Sequence, residues 1–150
     1  SAASDVYKRQ MMYRETQNEK YLQQAINIAK FILHHPNLPE DKIPYWDFDA
    51  PNIPDEPRDA SAGAIIASAL LELSQYVNDD KLSKEYQSVA SQQLRTLSSD
   101  EYLAAPQTNG GFILKHSVGN KPRNSEVDAP LTYADYYYAE ALLRYKKLLQ

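Results

Sequence analysis

The chain has 150 residues, no cysteine and a formal net charge of −4. Disulfides and thiolate chemistry are therefore excluded, and a mildly acidic chain without basic runs argues against a nucleic-acid or anionic-membrane surface. No apolar run approaches the roughly 18 residues of a spanning helix, nothing has the spacing of a zinc site, and neither a metal nor another cofactor is expected.

The first ten residues, SAASDVYKRQ, resemble codon for codon the in-frame translation of a common sequencing adapter. Residues 1–10 are set aside from fold reasoning as a processing scar, leaving 11–150 as the native stretch. Lys8 and Arg9 against Asp5 make that segment net positive, so the remainder is slightly more acidic than the whole. Native sequence is expected to start at about Met11, in mid-protein. That leaves the compartment open between cytoplasm and periplasm, and the oligomeric state open as well.

Residues 11–16 read as the tail of a helix. Residues 19–35 place Leu22, Ala25, Ile26, Ala29, Ile32 and Leu33 on one stripe with a polar back, which predicts an amphipathic helix. Residues 59–77 leave no polar face, so that helix should be buried all round, with Ser61, Gly63 and Ser68 keeping it thin. Residues 81–97 are amphipathic again, and residues 131–149 are apolar nearly all round for their first three turns. The order is thus outer, inner, outer, inner.

The linkers alternate too. Inner to outer takes only residues 78–80, which predicts an antiparallel hairpin. Outer to inner takes 36–58 and then 98–130, and six of the nine prolines stiffen the first of these loops. Both long loops should then lie on one rim around inner-helix N-termini. Partial positive charge and unpaired N–H groups suit a carboxylate-bearing ligand there.

Several residues on these loops bear on chemistry. Trp46, the only tryptophan, offers an indole face for stacking a sugar, or anchors the loop. Asp47 and Asp49 flank Phe48 and either bond sugar hydroxyls or form Asx turns among the prolines. Arg58 either forks onto a carboxylate or pairs with Asp55, Glu56 or Asp128. Asp59 reads as a helix N-cap, and Asp128 as another before Pro130. His116, after a Gly-Gly turn and a short extended stretch at 112–115, either meets substrate or ties its loop down. Tyr133, on the first turn of the last helix, is the tyrosine expected to face the pocket.

The blocks PYWDFDAP (44–51), PRDASA (57–62), GGF (110–112), KHS (115–117), NSEVDAP (124–130), YADYY (133–137) and EALLR (140–144) together resemble unsaturated glucuronyl hydrolases, glycoside hydrolase family 88. The resemblance runs from Met11 to the end. It implies an all-α fold, a six-hairpin α/α toroid of which 11–150 form the C-terminal half. It also implies hydrolysis of unsaturated uronyl oligosaccharides released by polysaccharide lyases, begun by hydrating the C4=C5 double bond. The catalytic aspartates of the family fall upstream, so no catalytic residue is assigned here, although Asp47, Asp49 and Asp128 invite it. Substrate-binding candidates are Trp46, Asp47, Arg58, His116 and Tyr133. Two other readings stand beside this one: an unsaturated rhamnogalacturonyl hydrolase, and a non-enzymatic helical-repeat interaction module. The long, dissimilar, aromatic loops disfavour the second.

Overall fold

The computed structural model describes all 150 residues as an all-helical chain. Five α-helices follow one another: α1 (Ala2–Thr16), α2 (Glu19–Leu33), α3 (Ala60–Leu73), α4 (Asp80–Leu97) and α5 (Thr132–Leu148). No helix is long and apolar enough to cross a membrane. Isolated bridges, not strands, tie the loops together.

The helices form two layers. Central α3 packs against α1, α4 and α5, while α2 packs chiefly on α1. Helices α1, α3 and α5 therefore make an inner row, with α2 and α4 outside it, in the alternation that the periodicity predicts. All but Ala62 and Glu72 of the fourteen residues of α3 are buried. Its thinness has a use: Ile43, itself fully buried, lies so close to Gly63 that a β-carbon there would meet Ile43 Cδ1 at 2.7 Å. Each fully buried Ile or Leu on such a helix contributes about 1.5–3 kcal/mol. The helix starts are chemically marked. Asn18, Asp59 and Asp79 cap α2, α3 and α4 with side-chain oxygens that accept N–H bonds otherwise unpaired.

At the opposite end of the inner row, an ionic network joins three helices. Glu72 of α3 accepts from Arg14 Nη1 of α1 at 3.0 Å and from Tyr76 Oη at 2.6 Å, and pairs with Arg144 Nη2 of α5 at 2.6 Å. Glu140 accepts from Tyr7 Oη at 2.8 Å and Ser68 Oγ at 2.6 Å. Burial and the Glu140 carboxylate push the Tyr7 hydroxyl far up, and burial beside Glu72 pushes Tyr76 up to about 12.

One expectation needs correction, and two elements go beyond what periodicity showed. Helix α5, apolar nearly all round at its start, is buried on one face only. It buries Ala134, Tyr138 and Ala141 against its neighbours, whereas Tyr136 and Leu143 are 60% and 61% exposed. Apolar residues on the other side of α5 meet no helix of this chain, and periodicity cannot reveal whether a neighbour is present. Asp128 does not cap α5: Leu131 occupies that position without a side-chain bond, and Asp128 turns to His116. The helix expected to end at Thr16 begins at Ala2, so residues 1–10 run continuously into it.

Within that segment Ala3, Val6 and Gln10 form the buried stripe of α1, and Gln10 is fully buried with neither amide atom hydrogen-bonded. A buried amide without partners carries its full desolvation cost. Gln10→Leu, similar in size but apolar, is expected to stabilise the chain by about 1–2 kcal/mol in a denaturant titration. A loss of stability would show that the amide is satisfied and specifically needed.

Candidate functional site

The first turns of the three inner helices open onto one cleft of about 460 Å³. Ser1, the cap of α1, and Ser4 come from the first helix, Asp59, the cap of α3, with Ser61, Ala62 and Ile65 from the third, and Tyr133 and Tyr137 from α5. The two long loops complete the walls. Trp46 and Asp47 come from the first, and residues 118–122 from the second. The volume is that of a small-ligand site, and the arrangement is concave with a few convergent polar groups. The clustered helix N-termini and Lys121 favour negative charge on an occupant, while the Asp47 and Asp59 carboxyls on the same walls oppose it.

Asp59 joins the two loops to α3. Its Oδ1 accepts from Ser61 N at 3.0 Å, Ser61 Oγ at 2.5 Å and Val118 N at 3.2 Å. Its own N–H donates to Pro44 O at 2.8 Å, and the next N–H, of Ala60, donates to His116 O at 3.0 Å. Enclosure of the carboxyl raises its pKa, against the lowering effect of these hydrogen bonds. Burial likewise raises the Tyr133 hydroxyl across the cleft, with Ser61 opposing.

Each candidate residue has a definite place. Trp46 lies at the boundary between the main cleft and a smaller cavity of about 230 Å³, with Nε1 donating to Glu56 Oε2 at 2.6 Å. Asp47 lines the same cleft while Oδ1 accepts from Asp49 N at 2.8 Å, the Asx turn that its sequence context allows. Tyr133 lines the cleft as well.

Arg58 and His116 do not join them. Both line a separate cavity of about 270 Å³ with Pro57, Glu101, Tyr102 and Asp128. Arg58 is held by Asp41, both of whose oxygens lie 2.9 Å from Nη1, and it stacks over Tyr45 at 4.9 Å. None of the partners expected from sequence is used, because the loop brings Asp41 back onto the Tyr45–Arg58 bridge. The rim is thus shared by both loops, but it carries two concavities instead of one.

Sequence reasoning missed the hairpin at residues 117–129. Paired bonds link Ser117 with Ala129, and Asn120 with Ser125. Its near side supplies Val118, Gly119, Asn120, Lys121 and Pro122 to the cleft. The available signal was the turn-rich run NKPRNS at 120–125 between two short extended stretches. Asp135 was missed too. It accepts from Ile113 N and Leu114 N at 2.9 and 3.0 Å, clamping the 109–115 segment onto α5.

An all-α arrangement with a loop-built cleft at the inner-helix N-termini is the architecture to be placed among known proteins. No family model matches the chain. It is, however, similar over nearly its whole length to unsaturated glucuronyl hydrolases. That of Formosa agariphila is 51% identical over 144 residues, covering 96% of this chain and 35% of the relative. The crystal structure of an unsaturated glucuronyl hydrolase specific for heparin superposes with a TM-score of 0.95 at 53% identity, over 99% of this chain and 39% of the other. A mutant enzyme from Streptococcus agalactiae complexed with dGlcA-GalNAc6S superposes with a TM-score of 0.83 at 29% identity, over 97% of this chain and 38% of the other. The chain therefore spans between about a third and two-fifths of the length of these relatives.

The carboxyl of Asp59 generates a prediction with a definite sign. A folded-state pKa above the unfolded value gives stability that is present at low pH and lost as pH rises through the folded value. Asp59→Asn keeps an acceptor for the three donors and removes that dependence. It is expected to equal or exceed the parent in stability at pH 7, while Asp59→Ala loses about 1–2 kcal/mol with the cap. Denaturant midpoints at pH 4 and pH 7 measure both. An Asn variant destabilised at pH 7 as much as the Ala variant would show that the charge itself is needed.

Proposed function

We propose that this chain is part of an unsaturated glucuronyl hydrolase, and that its cleft holds the unsaturated uronyl end of an oligosaccharide released by a polysaccharide lyase. The observation that carries the reading is the match of nearly the entire chain, sequence and fold together, to such enzymes. In this reading residues 11–150 form the C-terminal half of a six-hairpin α/α toroid. Residues 1–10, with their adapter-like run and the unsatisfied amide of Gln10 in a buried position, we assign outside it, although matches covering 96% and 99% of the chain reach into them. The exposed face of α5, with Tyr136 and Leu143, meets helices that lie outside this chain.

The reaction adds a proton and a hydroxyl across C4=C5. The resulting hemiketal opens, and the glycosidic bond is lost with it. The chain spans only 35–39% of the relatives' length, and we assign the groups that deliver the proton and activate the water to the remainder. What this chain contributes is binding. The convergent N-termini of α3 and α5 favour the uronate carboxylate, and Trp46 presents an apolar wall for a sugar face. Tyr133 and Asp47 supply hydroxyl and carboxylate groups for sugar hydroxyls.

The test uses loss of the double-bond ultraviolet absorbance of an unsaturated chondroitin disaccharide. The 150-residue chain alone is expected to show no turnover, and the longer protein, recovered by extending the gene upstream of Met11, is expected to turn it over. In the longer protein, Trp46→Ala should weaken substrate binding by about 1–3 kcal/mol with a smaller effect on kcat. Turnover by the short chain at the rate of the longer one would place the catalytic groups here and overturn the division of labour.

A further inference from the structure

Four of the eight non-glycine residues with positive φ fall in one short stretch: His116, Asn124, Glu126 and Asp128. All four frame the 117–129 hairpin, and two of them close its base. Left-handed conformations are costly for such residues and persist only where surrounding contacts over-determine them. At the base that contact is His116 Nδ1 donating to Asp128 Oδ1 at 2.5 Å.

The pair is held on both sides. The His116 ring stands edge-on to Tyr102, with centroids 5.9 Å apart, and Tyr102 is buried. The His116 carbonyl accepts from Ala60 N, which fixes the hairpin base to the first turn of α3. Arg58, Glu101, Tyr102 and Asp128 are the charged or titratable groups that share the cavity with the ring. The hairpin's other face lines the main cleft from Val118 to Pro122. The pair thus grips from outside a wall that the cleft uses from inside.

We propose that His116 and Asp128 are positioning residues: a clasp across the hairpin base that fixes the 118–122 wall of the cleft without touching what the cleft holds. The consequence for saccharide binding rests on the function proposed above; the clasp itself does not. Both side chains are substantially exposed, 43% and 61%, so the pair is worth little in overall stability. Its effect is local and severalfold, because it competes only with fraying of a short hairpin.

Residue-resolved amide exchange on the 150-residue chain tests this. Asp128→Ala is expected to speed exchange at Ser117, Gly119, Asn120 and Ala129, whose amides bond across the hairpin, by threefold to tenfold. Amides of α2 and α4 should be unchanged. Asp128→Asn, which retains the acceptor, should restore most of the protection, and His116→Gln, which can still donate, should lie between. Binding of an unsaturated chondroitin disaccharide, followed by Trp46 fluorescence, is expected to weaken severalfold in Asp128→Ala and recover in Asp128→Asn. Unchanged hairpin exchange in Asp128→Ala overturns the clasp. So does equal loss of protection across the whole chain, which would mark a global stability effect. If the parent chain binds no disaccharide while the exchange pattern holds, the function proposed above fails and the clasp stands.

Discussion

One carboxylate oxygen, Asp59 Oδ1, holds the site end of the molecule together. It stands where the proline-rich loop enters α3, and it takes hydrogen bonds from the first turn of that helix and from the hairpin of the second long loop. Its backbone N–H reaches back to Pro44. Two loops far apart in sequence are thereby referred to one helix terminus. Without that junction, Trp46 on one side and Val118 to Pro122 on the other would have no fixed separation. The carboxyl is enclosed, which raises its pKa, yet it is supplied with donors, so its value lies in geometry more than in charge.

The rest of the architecture serves the same end. Inner helices α1, α3 and α5 lie with their N-termini together, so the dipole charge of three helices converges on one cleft. Their C-terminal ends are tied by the Arg14–Glu72–Arg144 network, with basic side chains where the dipole favours them. Outer helices α2 and α4 return the chain, so that each long loop ends again at the cleft. A fold of this kind leaves the loops free to vary while the helix row keeps their roots in place.

Much of this was legible in the sequence. The unbroken apolar face of residues 59–77 marked the central helix, and the stripes of α2 and α4 marked the outer ones, because hydrophobic period follows burial directly. Asp59 was readable as a cap from its position alone. Trp46, Asp47 and Tyr133 were placed on the cleft because loop-to-inner-helix connectivity fixes which end they occupy. Other features had a weak local signature or none. Arg58 finds Asp41 through a loop fold, and no spacing rule encodes such a partner. The 117–129 hairpin is built on left-handed His116, Asn124, Glu126 and Asp128 instead of the glycines that advertise a turn. Asp128 looked like a cap because Pro130 follows it, but a nearby histidine offered a better partner. The apolar residues around α5 did not show which side is covered, because sequence records apolarity and not the presence of a neighbour.

In the function proposed, an unsaturated uronyl saccharide sits in the cleft at the N-termini of α3 and α5, and not in the Arg58–His116 cavity. Backbone and indole chemical shifts of the labelled chain, titrated with an unsaturated chondroitin disaccharide, test it most directly. Perturbations are expected at the Trp46 indole, Ser61, residues 118–121 and Tyr133, with Arg58 and Glu101 silent. Shifts concentrated at Arg58, Glu101, Tyr102 and His116, with the Trp46 indole unmoved, would contradict it.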